Sequence, residues 1–383
     1  MKKILAMLLA LCMIFALAAC GETAPAETKP AEEAPAAEAP AEEPAAAPEE
    51  PAAEAPAEEA PAAEEAPAEE IPAEAAYKLG LGVSLNMDSS KTGNAQVDAT
   101  TAAVILDEQG KIVAVKIDVA QNKMDITDGA VDTEKEFLTK AELGDDYNMV
   151  KFSDATLEWY QQAAAFEQFV LGMTGAEVEA METVVNEEGH EVTTDETLYA
   201  SCSISIGDFK EAVVKACNDE QAATFAGAGG FSLGLAIISK SDESTAATAE
   251  EDGVVKMYSE YAAVVVDGDG VILAAVTDAT QPQIKINAAG EIVETTFKGT
   301  KRELKEDYNM VKFSDATLEW YEQAKNFTDY ATGKTAEDLR ATETKTNDEG
   351  HNVFVDETLY ASVSISIDGM INVVAKAADN ALA

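Results

Sequence analysis

The sequence is poor in the side chains that most often bind metals or act as catalytic nucleophiles. Its 383 residues include two histidines and four cysteines. No H-E-x-x-H, C-x-x-C, G-x-S-x-G, Walker or G-x-G-x-x-G motif is present. The sequence therefore lacks the local signatures of zinc proteases, dithiol oxidoreductases, α/β-hydrolases and the common nucleotide-binding folds.

Basic residues are also scarce. The chain has 26 Lys and Arg against 72 Asp and Glu, a formal net charge of −46. Because phosphate binding needs clustered Lys and Arg, we expect no nucleic acid partner. No D-x-D-x-D-G loop or other metal-spaced carboxylate set accompanies the acidity, which favours a solvated acidic surface over a metal site.

Proline is almost missing from the second part of the chain. Eleven of the twelve prolines lie before residue 76, and the twelfth is Pro282. Residues 21–76 are nearly all Ala, Pro and Glu, with 17 Glu and one Lys. Such a segment has no apolar period and cannot bury a core. It predicts a disordered, extended stalk over residues 20–76.

The N-terminus has a basic flank at Lys2 and Lys3 and then an apolar run that is short for a membrane span. The run ends in Leu-Ala-Ala-Cys at residues 17–20, which resembles the bacterial lipobox. We therefore expect a signal peptide at residues 1–19 and a diacylglycerol on Cys20. Two acyl chains anchor a protein stably, so the expected location is the outer face of the cytoplasmic membrane.

From residue 77 onward the chain repeats itself. DYNMVKFSDATLEWY stands at residues 146–160 and again at 307–321, a shift of 161. NEEGH and NDEGH, and the two DETLYAS segments, repeat with the same shift. The repeat predicts two homologous domains, residues 77–220 and 229–383, each long enough to bury a core.

Within each copy the residue pattern predicts an α+β fold. Two β-rich runs flank a turn at residues 107–110, which indicates a hairpin. Trp159, Ala163, Phe166 and Val170 share one helical face, with Ser153 as a candidate cap. Residues 174–177 form a capping-box pattern, residues 186–190 predict a tight turn, and the copy ends in an amphipathic helix.

The remaining special side chains have ordinary structural explanations. Val363 and Ala378 replace Cys202 and Cys217 in the second copy, which favours two buried thiols, and a disulfide is the alternative. Trp159 and Trp320 are expected in the core. His190 and His351 are expected to be solvated turn residues.

A run of alternating serines precedes the last helix of each copy. They are Ser201, Ser203 and Ser205 in the first copy and Ser362, Ser364 and Ser366 in the second. If Ser203 opens the helix, unpaired N–H groups, the helix dipole and the hydroxyls together form a phosphate site. A Ser cap on a core helix, with no ligand, explains the same pattern.

The order of strand, turn, strand, helices and serine run resembles the FMN-binding domain of bacterial surface lipoproteins and electron-transfer subunits. In that family a Ser-Gly-Ala-Thr-x-Ser run opens the last helix, and its Thr can carry the flavin phosphate. The resemblance places Ser203 and Ser364 at the acceptor position, and Ser201 and Ser362 where the family has Gly. It implies FMN as a cofactor and the six serines as its binding residues.

Two functions follow as expectations. The first is an anchored electron carrier in which FMN transfers electrons to surface redox partners. The second is a non-catalytic module with a degenerate flavin fold that binds the cell wall, a surface partner or a small ligand.

Overall fold

The computed structural model describes residues 76–227 and 230–383, which lie in one compact unit. The predicted signal peptide, the lipidation site Cys20 and the stalk up to residue 75 lie outside the described residues. Among the described residues, none of the helices combines the length and apolarity that a membrane crossing requires. The fold is α+β, as the residue pattern predicts, with antiparallel sheets and mostly short helices.

The first copy is built on a four-stranded antiparallel sheet in the order β3-β2-β1-β6. Its strands are β1 (Ala76–Asn86), β2 (Asn94–Leu106), β3 (Ile112–Asp125) and β6 (Ala223–Ala226), and a separate small sheet pairs β4 (Thr183–Val185) with β5 (Glu191–Thr193). Its helices are α1 (Lys140–Leu143), α2 (Met149–Phe152), α3 (Trp159–Val170), α4 (Gly175–Glu179), α5 (Glu196–Ser201) and α6 (Gly207–Cys217), with a 3₁₀ turn at Gly144–Tyr147.

The second copy repeats this order with more interruptions. Its strands are β7 (Ser232–Lys240), β8 (Gly253–Lys256), β9 (Tyr258–Val266), β10 (Ile272–Thr280), β11 (Gln283–Ile286), β12 (Ile292–Thr296), β13 (Thr344–Thr346) and β14 (Asn352–Phe354). Its helices are α7 (Lys301–Leu304), α8 (Met310–Phe313), α9 (Trp320–Ala331), α10 (Ala336–Arg340), α11 (Glu357–Ser362) and α12 (Asp368–Asn380), with a 3₁₀ turn at Lys305–Tyr308.

The hairpin predicted at residues 107–110 is confirmed. Asp107 Oδ1 accepts hydrogen bonds from the N–H groups of Gln109 and Lys111, and Gly110 has a φ of +75° that suits glycine. The turn joins β2 to β3 in antiparallel register.

Pro282 marks the main difference between the two sheets. Where the first copy has the continuous strand β3, the second has β10 and β11 on either side of Gln281 and Pro282. Proline lacks the N–H that a strand interior must donate, so the ladder is interrupted there.

Close packing of the last helix on the first strand depends on glycine. A side chain at Gly80 would collide with the carbonyl of Ala216 in α6, and one at Gly234 would collide with that of Ala377 in α12. The repeated Leu-Gly-Leu pattern in β1 and β7 therefore lets each final helix lie directly on its sheet.

The other face of each main sheet packs against the sheet of the other copy. This shared core contains Leu79, Leu81, Val83, Ala103, Ile105 and Phe225 from the first copy and Leu233, Leu235, Ile237, Tyr261, Ala263, Val265 and Val276 from the second. Because successive strand residues point to opposite faces, one set packs on helices and the alternate set packs on the other sheet. The molecule therefore has helix, sheet, sheet and helix layers.

The predicted helix faces are confirmed, but the predicted cap of α3 is wrong. Trp159 and Trp320 are buried in the cores beneath α3 and α9. Helix α3 is capped by Glu158, whereas Ser153 ends α2. Ser153 lies too far before Trp159, the first residue of α3, to cap that helix. Its hydroxyl donates to the Met149 carbonyl and accepts from the Ala155 N–H.

Ion pairs repeat across the junction of the copies with approximate two-fold symmetry. Lys215 Nζ lies 3.1 Å from a Glu303 oxygen, and its counterpart Lys376 Nζ lies 2.6 Å from a Glu142 oxygen. Each lysine also donates to a carbonyl of the first strand of its own copy. Each copy thus contributes the same polar contact to the other.

One buried ion pair breaks this symmetry. Arg302 donates two hydrogen bonds, of 3.1 and 3.0 Å, to the Asp219 carboxylate, and both side chains are at least nine-tenths buried. Asp219 also accepts from the Leu81 N–H. The residue that corresponds to Arg302 in the first copy is Ala141. The pair therefore ties α7 of the second copy to the end of α6 and to β1 of the first.

Arg302→Ala should lower the free energy of unfolding by about 3–5 kcal/mol, because it leaves the Asp219 charge buried without its partner. Alanine fits the backbone, since Ala141 occupies the equivalent place. Urea unfolding measures the change. The control is Lys305→Ala, which removes a more exposed ion pair with Glu220 and should cost less than about 1 kcal/mol. Equal effects of the two variants would contradict the role given to Arg302.

Candidate functional site

The six predicted serines fall in two short connections, between α5 and α6 and between α11 and α12. Ser201 and Ser362 end α5 and α11, and their hydroxyls donate to the carbonyls of Leu198 and Leu359. Ser205 and Ser366 are exposed. The three serines of each copy therefore do not converge as unoccupied hydrogen-bond donors.

Ser203 and Ser364 are already hydrogen-bonded to a buried glutamine. The backbone N–H and the hydroxyl of Ser203 lie 2.9 and 3.3 Å from Gln162 Oε1. Gln323 accepts from Ser364 in the same way, at 2.8 and 3.2 Å. The glutamine amide group is fixed because its nitrogen donates to the Leu157 carbonyl in the first copy. The donors predicted for a phosphate are therefore occupied.

The final helices also begin later than the sequence predicts. Helix α6 starts at Gly207, after an Ile206 cap, so Ser203 lies outside the helix. The Glu191 carboxylate lies against Gly207, where an added Cβ would sit 2.5 Å from its Oε2. In the second copy the Glu260 carboxylate lies equally close to Gly369 in the first turn of α12. A carboxylate therefore lies close to the first turn of each final helix and disfavours a further anion there.

The electrostatics at the start of α6 disfavour a further anion. Burial raises the pKa of the Asp208 carboxyl, and the nearby Glu211, Asp98 and Glu191 carboxylates raise it further, while a hydrogen bond from Ser84 lowers it. A site that resists ionisation of its own acid resists a phosphate for the same reason. The residues present at the helix start do not fit the phosphate of FMN.

Ser203 instead lines an open groove of about 1070 Å³ in the first copy. The walls come from three segments: α2 with the turn after it, the tight turn at 186–190, and Tyr199, Ser203 and Ile204. These are the segments that repeat most closely in the sequence. The fold therefore brings together DYNMVKFSDA, NEEGH and the serine run, which are far apart along the chain.

Every residue type that lines the groove recurs in the second copy except one. Glu187 has Asp348 as its counterpart, which preserves the charge. The sequences of helices α3 and α9 are less alike. Ala164, Ala165 and Glu167 of α3 correspond to Lys325, Asn326 and Thr328 of α9. The groove lining is thus more alike between the copies than the helix that packs beside it.

An exposed phenylalanine forms one side of the groove. Phe152 and its counterpart Phe313 are each 76% exposed. Short helix α2 holds Phe152 in place: Asn148 starts the helix with a φ of +57°, and Glu158 accepts from the N–H groups of Met149 and Val150. Several specific contacts therefore maintain a turn that displays an apolar ring to solvent.

The groove is acidic overall. Asp154, Glu187 and Glu188 line it, against the single cation Lys151, whose Nζ lies 4.8 Å from the centre of the Phe152 ring. An aromatic ring next to carboxylates suits a neutral or cationic group better than an anionic one.

His190 is exposed, as predicted, in a confirmed tight turn. Asn186 Oδ1 accepts from the N–H groups of Glu188 and His190. Within residues 76–227 and 230–383, no cluster of three or more His, Cys, Asp or Glu side chains could hold a metal ion. His190 lines the groove, a position that its place in the sequence alone did not predict.

The two thiols are free, as favoured over the disulfide. Cys202 is buried and Cys217 is partly buried. Burial raises the pKa of Cys202 to about 12 and that of Cys217 to about 11, so both are weak nucleophiles at neutral pH.

Comparison with known proteins yields little. No family model matches the chain, and no solved structure matches it. A curated protein, the chlorophenol reductase of Desulfitobacterium hafniense, is 32% identical over 124 residues. The match covers 27% of this chain and 38% of that protein, so this chain spans well under half of that relative.

Gln162→Leu should destabilise the protein by about 1–3 kcal/mol, because the Ser203 N–H loses its acceptor in a partly buried place. Gln168→Leu, at an exposed position of the same helix, is the control and should change stability by less than about 0.5 kcal/mol. Urea unfolding gives the energies, and hydrogen exchange at the Ser203 amide should accelerate only in Gln162→Leu. Unchanged exchange there would show that Gln162 does not hold the serine.

Proposed function

We propose that the chain is a lipid-anchored, extracytoplasmic binding protein whose folded part is non-catalytic and offers one groove in each copy. Residues 17–20 support the anchor, and the acidic Ala/Pro/Glu segment supports a stalk that extends the folded part from the membrane toward the cell wall. The observation that carries the binding function is that the residue types lining the groove of the first copy recur, with one exception, in the sequence of the second copy.

A binding role accounts for features that a catalytic role does not need. Exposed Phe152 and Phe313 offer rigid apolar contact area, the kind of anchor that dominates binding interfaces. In the groove of the first copy, Ser203 is hydrogen-bonded to Gln162 rather than to a base, and neither cysteine lines the groove. A second binding site, formed by the recurring residues of the second copy in the same compact unit, would allow a repetitive surface to be bound bivalently.

The second candidate function is an FMN-dependent electron carrier. It is favoured by the resemblance at residues 200–213, by the position of Ser203 on the wall of the groove and by the reductase that matches part of the chain. Bound FMN would supply electron transfer. The hydrogen bonds to Gln162 and the carboxylates at the helix starts weigh against its phosphate, so we rank this function second.

Binding to purified cell walls of the producing bacterium tests the first function. Phe152→Ala and Phe313→Ala should each reduce cosedimentation of the protein with cell walls, and the double variant should reduce it at least about tenfold, because avidity is lost with the second groove. Leu138→Ala, another exposed apolar side chain, is the control and should bind as the wild type does. Undiminished sedimentation of the double variant would exclude the grooves as the binding surface.

The purified full chain also decides between the two proposed functions. The visible absorption of the purified full chain and the intact masses of the peptides that contain Ser203 and Ser364 report any flavin. We expect a colourless protein with unmodified serines. A yellow protein, or a flavin mass on either serine, would establish the electron carrier in place of the binding module.

A further inference from the structure

The second copy contains a buried lysine that has no counterpart of equal burial in the first. Lys301 is 6% exposed, whereas the equivalent Lys140 is only partly buried. Lys301 Nζ lies 4.9, 5.0 and 5.1 Å from the ring centres of Tyr258, Tyr308 and Trp320. In the first copy Asp98 replaces the first of these rings.

Lys301 lacks a close anionic partner. Its hydrogen bond to Tyr258 Oη is long, at 3.4 Å. Over the described part of the chain, no carboxylate oxygen lies within the 4.0 Å that defines an ion pair with this ammonium. An ammonium has three N–H donors, so most of its hydrogen-bonding capacity is unused.

The carboxylates nearby form their hydrogen bonds with groups other than Lys301. Asp278 accepts from the N–H groups of Ala279 and Arg302. Glu260 accepts a long hydrogen bond of 3.5 Å from the Tyr258 hydroxyl, so Tyr258 links this carboxylate to Lys301. Burial lowers the pKa of Lys301 to about 8, even though Glu260 and Asp278 act to raise it. The three aromatic rings and the nearby carboxylates therefore stabilise this cation without a direct ion pair.

An open cavity of about 400 Å³ adjoins Lys301. The cavity lies beside the break that Pro282 makes between β10 and β11, where the first copy has the continuous strand β3. Phe297, Leu304 and Tyr308 supply apolar lining, and Lys298 adds a second cation against the single carboxylate of Asp307. A cavity with apolar walls and an unpaired buried ammonium is complementary to an organic anion.

We propose that this cavity is a binding site for a small carboxylate with an apolar body, whose carboxylate pairs with the Lys301 ammonium. The site is separate from the grooves that contain Phe152 and Phe313, and it does not depend on the function proposed for them. It also differs from the phosphate site expected at the serine runs, which the structure fills with protein groups.

Calorimetric titration of the full chain with benzoate tests the proposal, with benzylammonium as a probe of similar size and opposite charge. Benzoate should bind at least tenfold more tightly than benzylammonium. Lys301→Met should weaken benzoate binding at least tenfold, while Lys140→Met at the equivalent position of the first copy should leave it unchanged. Equal affinity for the two probes, or equal benzoate binding by Lys301→Met and the wild type, would overturn the site.

Thermal unfolding separates a binding role from a structural one. Without ligand, Lys301→Met should lower the Tm only slightly, because methionine keeps the side-chain length and the contacts with the three rings while it removes a buried charge that has no direct ion pair. A large fall in Tm would assign Lys301 to the core and contradict the proposal.

Thr296→Trp, at the exposed rim of the cavity, provides a second variant that should abolish benzoate binding without altering the core.

Discussion

The apolar contact between the two main sheets is the interaction on which the rest of the structure depends. Each sheet buries one face under its own helices and the other face against the sheet of the other copy. Neither copy could leave that second face in water without exposing a continuous patch of Leu, Ile and Val. The buried pair of Arg302 and Asp219 lies at the same junction and fixes how the copies meet. The junction therefore joins the two copies in one compact unit.

The sequence predicts the α+β class, the hairpin at 107–110 and the core faces of the helices because these depend on local periodicity and turn chemistry. It does not predict the packing between the sheets. A strand buried on both faces reads as a continuous apolar run, and nothing local indicates whether a helix or another sheet covers each face. The mistaken cap at Ser153 has a local origin, since Glu158 forms a capping box with Gln161 and so starts the helix at Trp159.

The candidate site was predicted in part. Ser203 and Ser364 lie on or beside the most closely repeated segments. The glutamines that accept their hydrogen bonds, Gln162 and Gln323, lie in a different helix, and no sequence motif indicates these contacts. The groove could have been found from one signal: the 146–160 segment repeats without change although half of it is too polar and too short for a core helix. A sequence segment that repeats although core packing does not require it indicates a functional surface.

The central claim is that the two copies fold as one unit around the shared core. The two tryptophans allow a direct test, because Trp159 lies in the first copy and Trp320 in the second. Urea unfolding of Trp159→Phe reports only the second copy, and unfolding of Trp320→Phe reports only the first. After correction for any stability change measured by circular dichroism, each fluorescence transition should coincide with the global transition of the same variant. Fluorescence midpoints that differ from the global midpoint would show that the copies unfold separately and that the core between them does not unite the molecule.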